Sequence, residues 1–341
     1  MEVGRAALSR GALRPTRRTP TLCVVLLLAA LAAAAIAAAA SAAPTRLASQ
    51  WAGGMYPLPN GEHVSVYVST RYPDPDALAQ TWASYFGGLP HGSEVSLVRA
   101  YIAPLDEVQQ LCVNPDVLGC YGGDELVTVG ETPVWMLPAT SVAAHEYGHH
   151  IAAHRNNAPW RALDWGAKRW ATQMDVCRRV AGGTASPGGE GADYSLNPGE
   201  AFAESYRVLV ESTGTAAGDR WPIVDASFRP DVAALAALRA DVLDPWTGPA
   251  VTAVRGRFKG SARYWTATLA TPLDGDLSIK VGASDDLSLR SGDGRTVLAR
   301  SAWTSTGGKF AAYRVCGTRS LQVRVSRLRA AASFTLRISR P

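Results

Sequence analysis

Histidine is scarce in this chain, six among 341 residues, and charged side chains make up only 18% of it. With a hydrophobic share of 47%, so little charge excludes a disordered polymer, because there is enough apolar surface to offset the entropy of ordering. No internal repeat recurs along the chain. The length allows two domains, each with a core of ordinary size. Cysteine is sparse too, at five, and Cys23 falls in an N-terminal segment of separate character.

That segment begins with Arg5, Arg10, Arg14, Arg17 and Arg18. An apolar run from Leu22 to Ala40 follows, then the small residues Ser41, Ala42 and Ala43. A basic start, an apolar middle and a small-residue exit form the pattern of a secretory signal peptide, here residues 1–43, cleaved near Ala42 or Ala43. The alternative is a retained membrane anchor, since the apolar run is long for a leader. Its alanine-rich middle is only weakly apolar, which favours cleavage and a secreted protein. Residues 44–60 are a candidate propeptide.

Without the leader the formal charge of +5 falls to about +1, so the basic balance gives no reason to invoke nucleic acid. The remaining charge is divided unevenly. Residues 44–249 carry a net −10 and residues 250–341 a net +11, as two separate domains would. The four cysteines left are Cys112, Cys120, Cys177 and Cys316, an even number consistent with disulfides in an exported chain. Cys112 and Cys120 flank the turn-rich Val113-Asn114-Pro115-Asp116 and are expected to pair. Cys177 and Cys316 then pair by elimination, unless both are free and buried.

Local patterns place the elements. His63 to Val68 alternates as a half-buried strand does. Pro73-Asp74-Pro75-Asp76 starts a helix through Phe86, which Gly87-Gly88 ends. Val95 to Ile102 reads as a strand and Leu105 to Leu111 as a short helix. Residues 125–129 and 133–137 read as antiparallel edge strands. Thr140 or Ser141 caps a helix over about 142–154, and another spans about Leu163 to Val180. Asn197-Pro198 opens a helix to about Ser212, a capping residue followed by proline at the first helical position. A last helix covers Val232 to Val242. Asp244 to Pro249 is the domain boundary, and six short alternating segments between Tyr264 and Ile338 indicate a β-sandwich.

Four of the six histidines fall within residues 145–154. His145 and His149 are four apart, so a helix presents both imidazoles on one face, about 6 Å apart along its axis. One metal ion can take a nitrogen from each. Glu146 follows the first of them and is placed to accept a proton from a metal-bound water. The His-Glu-x-x-His arrangement is therefore a candidate zinc site, with Glu146 as catalytic base. A third histidine six residues after His149 would complete one known ligand pattern, but that position is Arg155. His150 and His154 lie off the ligand face and read as surface or second-layer residues. The better third ligand is a carboxylate of Glu200-Ala201-Phe202-Ala203-Glu204, two acids on one helical face. One can bind the metal while the other accepts the free N–H of a ligand histidine. Either could take either part, and Glu200 could also complete a capping box with Asn197.

His145-Glu146-Tyr147-Gly148-His149-His150, followed some fifty residues later by Asn197-Pro198-Gly199-Glu200-Ala201-Phe202-Ala203-Glu204-Ser205-Tyr206, resembles the gluzincin clan of zinc peptidases. It is closest to the branch that resembles the anthrax lethal factor catalytic domain and to small secreted bacterial relatives. The likeness spans roughly residues 60–215. It implies that Glu200 is the third zinc ligand and Glu204 a supporting acid behind it. It also implies that Tyr194, six positions before Glu200, stabilises the oxyanion. More loosely, residues 250–341 resemble β-sandwich domains appended to bacterial secreted peptidases.

The expectation is thus an α+β zincin-like catalytic domain over residues 44–247, followed by an all-β sandwich over 250–341. Its cofactor is Zn2+ and its substrate a peptide or protein. A monomer is expected. The basic second block would either dock on the acidic first one or contact an anionic cell-surface polymer. A zinc-stabilised binding module without activity, and an amidase acting on cell-wall peptides, are the competing functions.

Overall fold

The protein is described by a computed structural model over residues 50–132, 137–211, 221–282, 285–305, 307–317, 319–328 and 333–341. The signal peptide expected at 1–43, and most of the strand expected at 133–137, lie outside the described residues. Among the described residues helix accounts for 34% and strand for 33%, a mixed α and β type.

The first sheet is built on short valine-rich strands. In β2 (His63–Ser69), Val64, Val66 and Val68 are buried and alternate with half-buried residues, the two-residue period of a pleated strand. It pairs in parallel with β3 (Arg99–Ala103), which pairs in parallel with β5 (Glu125–Val129). β1 (Trp51–Pro57) lies outside β2, and β4 (Gly119–Gly122) pairs antiparallel with β5, giving the order β1-β2-β3-β5-β4. Glu125–Val129 is therefore not an antiparallel edge strand as expected: it is internal, and the edge is β4. The reason lies in its residues. Leu126, Val127, Thr128 and Val129 are all buried, the continuous run of a strand covered on both faces rather than the alternation of an edge. Seven of the seventeen residues of the candidate propeptide, Trp51–Pro57, form the sheet strand β1.

Parallel neighbours need crossovers, and helices supply them. α1 (Pro75–Gly88) follows β2, with Asp74 accepting from the Ala77 amide and proline at the first helical position. Its Ala79, Trp82, Ala83 and Phe86 are buried, and it packs on β2. A 3-10 turn at Ser93–Ser96 precedes β3, replacing the first half of the strand expected from Val95. α2 (Leu105–Leu111) leads from β3 to the Cys112–Cys120 disulfide.

α3 (Ala139–Ala153) carries the histidine motif and lies across β4 and β5. It begins a turn earlier than expected. Pro138 occupies the capping position, and the Thr132 hydroxyl accepts from the Ala139 amide instead of Thr140 or Ser141 capping the helix. The long helix expected over 163–180 is three short ones, α4 (Ala162–Trp165), α5 (Lys168–Gln173) and α6 (Val176–Ala181). Gly166 at φ 77° and Asp175 at φ 59° break it. A Cβ at Gly166 would lie 2.4 Å from the Trp170 ring, so the break admits a buried indole. α7 (Pro198–Glu211) then packs along α3, and α8 (Val232–Leu243) covers α5 and α7.

From Ala250 onward the described chain is all strand. One sheet has the order β10-β9-β13-β7 and the other β11-β12-β8-β14-β6. These are β6 (Ala250–Arg257), β7 (Tyr264–Thr271), β8 (Gly275–Val281), β9 (Asp285–Ser291), β10 (Val297–Arg300), β11 (Ala302–Trp303), β12 (Lys309–Val315), β13 (Arg319–Arg327) and β14 (Ser333–Arg340). Every pairing shown is antiparallel. Residues such as Leu277, Ile279 and Leu336 of one sheet share a core with Leu289, Leu321 and Val323 of the other. The two sheets are the layers of a sandwich.

The strand block is fastened to the helices at the β7–β8 turn. Lys168, fully buried, donates to the Ala158 and Asp274 carbonyls at 2.6 and 2.8 Å, and its ammonium lies 4.4 Å from the Trp246 ring centre. Burial holds its pKa down at about 8, against the charges of Asp274 and Asp241. The Asp274 amide donates to the Thr172 hydroxyl at 3.0 Å. Nearby, Cys177 and Cys316 form a disulfide, so both expected bridges are present and two free thiols are not.

The two bridges close loops of very different length, with sequence separations of 8 and 139. On the chain-entropy relation they restrict the unfolded chain by about 2.5 and about 5 kcal/mol. Removing Cys177 and Cys316 together should therefore lower the urea midpoint more than removing Cys112 and Cys120. Equal shifts would refute that ordering.

Candidate metal centre

The centre forms where α3 and α7 come unusually close. Gly148 is the reason: a Cβ there would meet the Ala203 Cα at 2.7 Å and the Ala203 carbonyl oxygen at 2.9 Å. A residue with no side chain on α3 and a one-carbon side chain on α7 let the two backbones touch. Glu200 and Glu204, one turn apart on α7, are thereby brought against His145 and His149 on α3. The resulting cluster is nearly closed to water.

Glu200 accepts the central position. Its Oε2 lies 3.2 Å from His145 Nε2 and 3.3 Å from His149 Nε2, and the Tyr194 hydroxyl donates to it at 2.7 Å. It is not spent on a capping box, because the Asn197 amide that such a box would use donates to the Tyr194 carbonyl at 3.1 Å. His145 Nδ1 faces Glu204 Oε2 at 3.1 Å, which places the ring proton there and turns the Nε2 lone pair toward Glu200 and His149. Arg207 holds Glu204 in turn, donating from Nε at 3.0 Å and Nη2 at 2.7 Å, and also reaches Glu211, which Ser141 contacts from α3. Sequence reading missed Arg207, Glu211 and Ser141. The three-residue step from Glu204 to Arg207 on a helix was the available signal.

The donor set fits a metal ion. His145, His149 and Glu200 each offer one ligand atom, all within 4.8 Å of one another. An ion about 2.0–2.1 Å from tetrahedral donors separates neighbouring donors by about 3.3 Å, matching the two distances from Glu200 to the imidazoles.

The electrostatics point the same way. Burial alone would lower the pKa of His145, but the hydrogen-bonded carboxylates of Glu200 and Glu204 and the charge of Glu146 outweigh it and raise it to about 10. Burial would raise Glu200, yet the two histidines hold it well below the usual carboxylate range. The spot between these side chains favours positive charge. Tyr194 is pushed far up by burial and by the adjacent Glu200 carboxylate, so its hydroxyl keeps its proton.

Glu146 is buried beside the cluster, and burial raises its carboxyl above the usual range despite the nearby histidines. Gly119 on β4 makes room for it, since a Cβ there would lie 2.9 Å from Glu146 Cγ and Oε1. A cavity of about 280 Å³ runs between β4 and the 3-10 turn Gly191–Leu196, with Gly119, Glu146, His149 and Tyr194 on its walls. A larger cleft of about 1000 Å³, also lined by Glu146 and Tyr194, continues from it past Val117, Leu118, Val142 and Ile223. The predicted residues His145, Glu146, His149, Tyr194, Glu200 and Glu204 thus meet in one place. Cys120, on β4, lines the smaller cavity, and its disulfide to Cys112 ties that strand to the end of α2.

His150 and His154 are not brought into this centre. His150 is fully buried on another side of α3, so of the two places expected for it, surface or second layer, the surface is ruled out. No protein-family model and no curated protein matches the chain.

Two substitutions test the construction. Gly148→Ala should force the helices apart, lower stability by about 1–3 kcal/mol and weaken metal binding. Glu204→Gln removes the charge that orients His145 and should weaken metal affinity about 10- to 100-fold with the fold retained. Competition against a chromophoric chelator, with circular dichroism as control, measures both. Unchanged affinity in both variants would separate the α3–α7 contact from metal binding.

Proposed function

We propose that the protein is a secreted zinc-dependent endopeptidase with a zincin-like catalytic region, and that His145, His149 and Glu200 hold the ion. The observation that carries this reading is Glu146. It sits in the cavity wall next to the histidine pair rather than among the ligands, a placement that a purely structural metal site does not need. Two disulfides fit an oxidising environment; among the described residues no helix is long and apolar enough to cross a membrane.

The chemistry zinc supplies when bound is Lewis acidity, which acidifies a water and polarises a carbonyl. The remaining roles belong to the chain. Glu146, with its proton affinity raised by burial, takes a proton from the attacking water and passes it to the leaving amine. Tyr194, kept protonated beside Glu200, donates to the oxygen that gains charge as the carbonyl carbon becomes tetrahedral. The edge strand β4 offers unpaired backbone groups along the cleft, where an extended peptide can add to the sheet. The apolar wall of Val117, Leu118, Val142 and Ile223 takes a side chain next to the cut bond. Glu204 and Arg207 hold His145 in its tautomer throughout.

Hydrolysis of a mixed-sequence peptide library by the parent and by Glu146→Gln, with zinc content measured for both, tests this. The parent should cleave, and Glu146→Gln should keep its metal while losing about 10²–10⁴-fold in rate. If both hold metal and neither cleaves, the chain is a binding module or acts on another amide. Cleavage by Glu146→Gln at the parental rate would remove Glu146 from the mechanism.

A further inference from the structure

Beyond the centre just described, α3 presents a second pair of histidines four residues apart. At 100° per residue, the face of His150 and His154 is turned about 140° from that of His145 and His149. It meets the β4–β5 turn. There His154 Nε2 lies 2.7 Å from Asp124 Oδ1, and His150 Nδ1 lies 3.6 Å from the same oxygen. The Tyr121 hydroxyl is 3.2 Å from both His150 Nδ1 and Asp124 Oδ1. His150, His154 and Asp124 each offer a ligand atom, all within 4.8 Å of one another.

The tautomer of His150 is fixed from outside the cluster. Its Nε2 lies 2.8 Å from the Glu94 carbonyl oxygen, which only accepts, so Nε2 carries the proton and Nδ1 turns a lone pair toward Asp124 and Tyr121. A carbonyl behind the ring is the support that metal-binding histidines characteristically have. Glu94 is itself pinned, its carboxylate paired with Arg155 at 2.9 Å with both side chains 4% exposed. Nitrogens of two imidazoles, a carboxylate oxygen and a phenol oxygen therefore surround one point, where His154 and Tyr121 donate to Asp124. Their separations bracket the distance of about 3.3 Å between neighbouring tetrahedral donors. The side chains of His154 and Asp124 are 25% and 36% exposed, which leaves an entry path from solvent.

We propose that His150, His154 and Asp124, with Tyr121 alongside, form a second site for a divalent ion of the zinc class. Two imidazoles and a carboxylate are the donors that such ions prefer over calcium or magnesium. The site ties the β4–β5 turn to α3. Because Gly119 and Cys120 of the same strand line the cavity beside Glu146, a metal there clamps one wall of the cleft to the helix that forms the other. The proposal is independent of the peptidase reading, as it needs no residue of the first centre.

Metal content of the purified protein, stripped with chelator and re-equilibrated with Zn2+, is the test. The parent should bind two ions per chain, His149→Ala one, His154→Gln one, and the double variant none. Asp124→Asn should behave as His154→Gln does. In the His149→Ala background, added Zn2+ should raise the melting temperature, and His154→Gln in that background should abolish the rise. Far-ultraviolet circular dichroism of each variant establishes that it folds. Equal metal content in the parent and His154→Gln would overturn the second site and leave a hydrogen-bonded cluster, whereas loss of the ion in His149→Ala alone bears on the first centre.

Discussion

Everything chemical in this protein depends on how closely two helices can pack. Gly148 lies between the ligand positions of α3, and Ala203 lies between the two acids of α7. Where they meet, backbone rests on backbone. That contact sets the reach from the α7 carboxylates to the α3 imidazoles, which an ordinary helix pair with larger side chains at the crossing would exceed. The glycine inside the histidine motif is thus as much a part of the centre as the histidines.

Once the helices touch, charge has to be balanced among side chains that are largely buried at the foot of a cavity. Glu146, Glu200 and Glu204 bring three carboxylates and Arg207 one fixed cation. Arg207 is committed to Glu204 and Glu211, so the other two acids look to the histidine pair. The pull on His145 toward its protonated state expresses the same demand that a metal ion would meet. The design is layered: Arg207 fixes Glu204, Glu204 orients His145, and His145 with His149 faces Glu200.

Short-range signals in the sequence were read well, and long-range ones were not. The proline and asparagine at 197–198, the Asp74-Pro75 start, the motif helix and both cysteine pairs act within a few residues or through chemistry alone, and all reappear in the structure. The position of Glu125–Val129 inside the sheet did not, because its neighbour β4 is only four residues long and glycine-rich, with no hydrophobic pattern of its own. The helix expected over 163–180 broke because Trp170 claims the space beside Gly166, a tertiary demand no local propensity records. The complete burial of His150 was not legible for a similar reason: one of its partners is the Glu94 carbonyl, more than fifty residues away in the chain. At the candidate site the histidine pair and the Glu200–Glu204 pair were legible from type and spacing, and the choice of Glu200 was implied by the resemblance, whereas the Arg207 and Ser141 support depended on which helix lies against which.

The bond between Cys177 and Cys316 closes a circuit around the connecting segment at residues 244–249. Because the sulfur link and the main chain both join the helical part to the strand part, neither is the sole connection. A cut anywhere in that segment would leave one molecule of unchanged mass apart from an added water, and two pieces could separate only after the disulfide is reduced. A chain joined in this way can suffer a break in its connecting segment and remain one molecule.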